Sequence, residues 1–189
     1  DTVHAKIDAE KRESIRRNHS AVHLLQAALR KILGDHVEQA GSYVDAERFR
    51  FDFSHFEPMT KEQIKETEAL VNKYILAGVE IETIETDVET AKKMGAMALF
   101  GEKYGSRVRV VKMGDFSTEL CGGTHMTNTA QAGLCKILYE SSVAAGVRRI
   151  EGITGSGVMA YIYENLDIMQ ETAKTLKAQN ISDIAEKAA

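Results

Sequence analysis

Apolar residues recur at helical spacing through the first part of the chain. Ile15, Val22, Leu25, Leu29 and Ile32 fall on one face of a helix predicted from about Ala9 to Leu33, with Gly34 as its stop. Lys11, Arg12, Arg16 and Arg17 crowd its early turns, a poor place for cations beside the positive end of a helix dipole. Either that basic cluster serves a partner, or the helix starts later, near Asn18.

Beyond Gly34 the alternation becomes strand-like. VEQAGSYVD and ERFRFDF are separated by a turn near Asp45-Ala46, and Phe49, Phe51 and Phe53 alternate with Arg48, Arg50 and Asp52, the pattern of a half-buried strand. Thr60 followed by Gln63 is a capping box for a helix ending at Gly78. VEIETIET alternates as a strand, and Asp87 caps a short helix through Met94. The stretch from Gly95 to Gly105, with Ala98-Leu99-Phe100 between glycines, fits no single element. RVRVVKM, GLCKILYESS and GVRRIEGIT read as three more strands separated by glycine-rich turns. Gly155 to Asn180 reads as one long amphipathic helix, and Ser182 as the cap of another.

No long-period repeat is present, and the turns are too short for successive βαβ crossovers. The chain is expected to be α+β, a mostly antiparallel sheet packed with helices plus a long C-terminal helix. A domain is expected over residues 1–154. Residues 155–189 then form a helical connector whose apolar stripe seeks a partner surface or folds back on the sheet.

Composition adds boundaries. With 43% hydrophobic and 28% charged residues, the 189-residue chain is neither collagenous nor low-complexity. No apolar run reaches the ~18 residues of a membrane helix, so no membrane partner is expected. Two cysteines make no disulfide framework, and the cytoplasm is the expected compartment. A net charge of −4 argues against indiscriminate coating of nucleic acid but leaves room for a local basic patch.

The candidate chemistry lies in two short motifs. His19 and His23 stand four apart on the first helix, where both side chains face the same way. This is the spacing of a HExxH protease, but Ser20 replaces the general-base glutamate, which excludes that chemistry. A hundred residues on, Cys121 and His125 bracket Gly122-Gly123-Thr124, a tight turn that lets the two side chains converge. Three imidazoles and a thiolate make a tetrahedral set suited to zinc. Four protein ligands usually mean a closed structural site, so spacing leaves the metal's role open. His4, His36 and His55 have no ligand-type neighbour at useful spacing and read as surface or capping residues; Cys135, in an apolar run, reads as core.

RNHSAVHLLQAALRKILGDHVEQAGSYV, RFRFDFSHFEPMT, STELCGGTH and SSVAAGVRRIEGITG, in this order, closely resemble the editing domain of alanyl-tRNA synthetase over roughly residues 12–155. The same metal pattern occurs in free-standing alanyl-tRNA editing proteins and in the threonyl-tRNA synthetase editing domain. The threonyl type typically carries Arg-Gly-Pro before its final histidine, whereas this chain has Gly122-Gly123-Thr124 and its one proline at Pro58. The alanyl branch is therefore favoured. Two departures, Thr129-Ala130 where the family usually has Thr-Gly and Cys135 where it commonly has Phe, touch no proposed ligand.

The resemblance implies hydrolysis of the ester that joins serine or glycine to the 3′ end of tRNA specific for alanine. It also implies zinc held by His19, His23, Cys121 and His125. It places Gln39 in the amino-acid pocket and gives Arg148, with Arg149 beside it, a role in supporting the site or binding tRNA. On spacing alone Gln39 reads as a solvent-facing strand residue and Arg148 as a surface charge. Thr124 and Gln39 are the candidate partners for a serine hydroxyl. The catalytic group is unassigned, because no carboxylate lies inside either metal motif. Either the metal activates a water, or it orients the substrate while a positioned water attacks. The competing class is a structural zinc module that serves tRNA binding or assembly without catalysis. The chain has no part resembling an aminoacylation domain and reads as a piece of the synthetase, the remainder being a partner in the parent chain.

Overall fold

A computed structural model describes residues 2–97 and 105–188; Ala98-Leu99-Phe100 lies outside the described residues. Contacts divide the chain into two units, residues 1–155 and 156–189.

The first unit opens with α1 (Ala9–Leu33). Asp8 caps it by accepting from Lys11 N at 2.9 Å, and Glu10 adds an acid in the first turn, which offsets the cationic N-terminus. The helix thus starts at Ala9 and not near Asn18. Two strands follow, β1 (Gln39–Val44) and β2 (Phe49–Ser54), then α2 (Lys61–Leu76), opened by the Thr60–Gln63 capping box. β3 (Ile81–Asp87) leads into α3 (Val88–Lys93), capped by Asp87. The rest comprises β4 (Arg107–Met113), β5 (Ser117–Leu120), a 3-10 turn at Thr129–Ala132, β6 (Cys135–Ala144) and β7 (Val147–Thr154).

The fold is α+β, and its strands form two antiparallel sheets in the orders β1-β2-β7-β6 and β3-β4-β5. β5, a four-residue strand too short to register as a periodic pattern, pairs with β4 at the edge of the smaller sheet.

The three phenylalanines of β2 are fully buried and share a core with Leu24, Leu25, Ala28 and Leu29 of α1, Val71 and Ile75 of α2, and Ile150 of β7. Removing a phenylalanine from such a position costs about 3–5 kcal/mol. Gly152 is required opposite β2, because a Cβ there would overlap the Phe49 ring. The polar side of β2 is not simply exposed. Asp52 is buried beneath Arg149, which donates to both its carboxylate oxygens at 2.7 and 2.8 Å.

In the second unit α4 (Ser156–Thr175) ends five residues before the expected Asn180. Lys177 takes a left-handed conformation (φ 53°), which no helix interior tolerates. A turn at Ile181–Asp183 and α5 (Ile184–Ala188) follow. The Asp183 carboxylate accepts from Asn180 N at 3.1 Å, and Ser182 donates to that carboxylate instead of capping the helix. Among the described residues, no helix is long and apolar enough to cross a membrane.

Candidate metal centre

α1 and the segment leaving β5 bring four side chains together. His19 and His23 project one turn apart from α1, while Cys121 and His125 sit at the two ends of the Gly122–Thr124 turn. One ligand-type atom from each lies within 4.8 Å of the other three. Cys121 Sγ is 3.5 Å from His19 Nε2 and 3.3 Å from His125 Nε2. Those separations match the edges, about 3.3–3.7 Å, of a tetrahedron with zinc-like bond lengths.

The turn is held onto the helix by polar contacts. Arg16 Nε donates to His125 O at 2.6 Å, and Met126 N donates to Ser20 Oγ at 3.2 Å. The Ser20 hydroxyl, where a protease would carry its glutamate, also lies 3.4 Å from His125 Nδ1, leaving Nε2 to face the cluster. Arg109 of β4 clamps the other end, its Nε donating to Cys121 O at 2.9 Å while Cys121 N donates to Arg109 O at 3.0 Å. Gly123 is obligatory, because a Cβ there would overlap the His19 ring.

Electrostatics favour a thiolate at Cys121 and a neutral His125, with the balancing proton on His23. Burial pushes the Cys121 thiol up, but hydrogen bonds from His125 and His19, with the nearby His23, outweigh it and bring it down to about 3. Burial, with the charges of His23 and His19, lowers His125 to about 4 against the opposing pull of Cys121. Burial lowers His23, but Glu119 and Cys121 overcome it and raise the imidazole to about 10. A soft divalent ion needs a thiolate and neutral imidazoles, so Cys121 and His125 already hold the ligand form, whereas binding would displace a proton from His23. The residues fit such an ion on a further count: His23 Nε2 is buried with no hydrogen-bond partner, a costly state for a polar atom unless something else satisfies it.

Glu119 is the residue the spacing argument missed. Its Oε2 lies 2.7 Å from His23 Nδ1, and Ser117 Oγ donates to its Oε1 at 3.1 Å. Ser117, Glu119 and Cys121 are two apart, so strand alternation alone puts all three on one side. The carboxylate sits behind the imidazole and supports a ligand.

A cavity of about 310 Å³ adjoins the cluster, lined by Arg12, Thr83, Arg109 and the Gly122–His125 turn. Thr124 is thus part of the cavity wall. Gln39 and Arg148 do not line this cavity. The Gln39 amide reaches Ser42 Oγ at 3.5 Å. Arg148 is buried, not a surface charge, and its guanidinium grips both oxygens of the buried Glu140 carboxylate. Cys135 is a core residue whose thiol burial pushes up to about 12. His36 and His55, read singly as surface residues, pair at 2.9 Å.

Residues 108–151 match the family model described as the threonyl and alanyl tRNA synthetase second additional domain. The chain is 55% identical over 178 residues to an alanine–tRNA ligase of Pelotomaculum thermopropionicum, covering 94% of this chain and 20% of that protein. It is 54% identical over all 189 residues to that of Alkaliphilus oremlandii, 21% of its length. With the enzyme of Idiomarina loihiensis it shares 52% over 187 residues, 99% of this chain and 22% of that one. The chain thus spans about a fifth of the length of these curated relatives. Matched end to end by one segment of these ligases, and carrying within it a match to the second additional domain of threonyl and alanyl tRNA synthetases, the chain corresponds to the editing-domain segment of alanine–tRNA ligases.

Proposed function

We propose that the chain hydrolyses serine or glycine wrongly esterified to tRNA specific for alanine, at a zinc site formed by His19, His23, Cys121 and His125. The supporting observation is the convergence of these four ligand atoms within 4.8 Å beside a polar cavity. The need for such a site is energetic. An apolar pocket for alanine rejects an added hydroxyl by only ~10²-fold, so a second site must discriminate. A site that hydrogen-bonds the serine hydroxyl spares alanine, which would leave the pocket's polar groups unpaired.

Thr124 offers a hydroxyl in the cavity wall for that contact, and Gln39 is the second polar candidate. Arg148 supports the sheet through Glu140 and does not itself touch the reacting ester. Zinc held by His19, His23, Cys121 and His125 would supply Lewis acidity and a fixed positive charge at this wall of the cavity. Ser20 and Glu119 keep the His125 and His23 rings oriented, and Arg109 holds the turn, so the substrate meets a wall already in place. An aminoacyl-tRNA substrate implies work in the cytoplasm, with the remaining four fifths of the parent enzyme supplying most of the tRNA grip. The 155–189 segment is then a connector toward an assembly surface, its Met159, Ile162, Leu166 and Met169 recurring at helical spacing.

The test is release of labelled amino acid from Ser-, Gly- and Ala-charged tRNA by the chain and by Cys121→Ala. Rapid loss of serine but not alanine, abolished in a variant that keeps its circular dichroism, is the expected result. A second reading, a purely structural zinc, draws on the fact that four protein side chains fill a tetrahedron. Zinc-loaded, folded chain that releases no serine at any enzyme concentration would favour it.

A further inference from the structure

Of the four cations on the first turns of α1, the fold absorbs two. Arg16 is tied to Glu13 and to His125 O, and Arg17 donates to Ser14 Oγ at 3.2 Å. Arg12 lines the cavity beside the cluster, and among the described residues its guanidinium makes no hydrogen bond or ion pair. Arg109 lines the same cavity; its Nε is spent on Cys121 O, while its two terminal nitrogens have no partner among the described residues. Among the described residues, none that lines this space is acidic. Two arginines lining one polar cavity with no acidic neighbour among its described lining residues, in a chain of net charge −4, make a local attraction for an anion.

We propose that Arg12 and Arg109 grip a phosphate of the RNA substrate. The inference rests on the editing reading above and names a contact that reading lacks. Thr124 and His125 belong both to the cluster segment and to the cavity wall, so the two sites share a border. In an aminoacylated RNA end, the ester and a 5′-phosphate sit on the same ribose. An ester carbonyl placed at the cluster therefore carries a phosphate into the neighbouring space, where planar guanidiniums match its oxygens. The otherwise awkward cations at the start of α1 acquire a purpose: Arg12 steers and seats the terminal nucleotide.

The experiment compares two small substrates of the zinc-loaded chain, the 3′-seryl ester of adenosine and the same ester bearing a 5′-phosphate. In the parent, the phosphate should raise kcat/KM about tenfold, mostly through KM, as one charge-assisted contact allows. Arg12→Gln should erase most of that gain, and Arg12→Lys should restore part of it. A parallel series with Ser-tRNA at rising salt should show a shallower dependence for Arg12→Gln, by roughly one phosphate contact. Equal kcat/KM for the two esters in the parent would overturn the proposal, as would a phosphate gain or a salt slope that Arg12→Gln leaves intact. If neither the esters nor Ser-tRNA is hydrolysed, the editing reading itself fails and this one with it.

Discussion

Glu119 holds His23 from behind: its Oε2 lies 2.7 Å from His23 Nδ1, while His23 Nε2 points without a partner toward Cys121, His19 and His125. A carboxylate on one ring nitrogen selects the tautomer that leaves the other free as a ligand and makes it more basic. Ser117 occupies the second carboxylate oxygen at 3.1 Å, so the acid cannot swing away.

Glu119→Ala should therefore weaken zinc binding about 10- to 100-fold, the usual cost of losing such a support. Glu119→Gln, whose amide oxygen still accepts from Nδ1–H, should lose less. Competition against a chromophoric chelator measures both, with thermal melts to establish folding. Unchanged affinity in the alanine variant would contradict the role.

Gly123→Ala tests the approach of the turn to α1. The added methyl would overlap the His19 ring, so ring or turn must move and the four ligand atoms can no longer converge. Zinc content after dialysis should fall well below one equivalent per chain, while α2 and the larger sheet, remote from the turn, keep the circular dichroism native. Full zinc occupancy in this variant would mean that the close approach is not needed.

The two cysteines should separate chemically. Cys121, brought down to about 3 by its histidine partners, is a thiolate at neutral pH, whereas Cys135 is buried and pushed up to about 12. Iodoacetamide should alkylate Cys121 alone in chelator-treated chain, and zinc should protect it. Peptide mass spectrometry reads the site; alkylation that zinc does not slow would argue against Cys121 as a ligand.

The His36–His55 pair sets a pH dependence away from the His/Cys cluster. Burial, then the neighbouring His36, hold the His55 imidazole below its ordinary value, Arg148 adding to this while Glu57 and Glu140 oppose it. The folded state thus binds fewer protons than the unfolded one. Its stability contribution is fully present above the unfolded value of about 6.5 and is lost as pH falls through the depressed folded value. His55→Gln should flatten the decline of Tm between about pH 7 and pH 5. A variant with the same slope as the parent would show that the pair does not titrate with folding.

Much of the fold is legible in the chain because local rules decide it. Alternation in Arg48–Phe53 makes β2, Thr60 with Gln63 opens α2, and Asp87 caps α3, each through contacts a few residues long. The longest helix fails at its end for the complementary reason: nothing periodic in Lys177–Asn180 announces the left-handed residue that stops it. β5 escapes notice because four residues cannot display a period, and Glu119 escapes with it.

The chemistry of the site divides along the same line. Residue type and spacing determined that His19 with His23, and Cys121 with His125, could each pair on one metal, because i and i+4 on a helix and a two-glycine turn are local geometries. That the two pairs meet, that Glu119 stands behind His23, that Arg12 and Arg109 face one cavity, and that Arg148 and Arg149 are taken up by Glu140 and Asp52, only the tertiary structure decided. These partners lie from eight to about a hundred residues apart in sequence. Their meeting depends on how α1 and the two sheets pack around the buried phenylalanines of β2, a collective outcome of burial that no short pattern in the chain encodes.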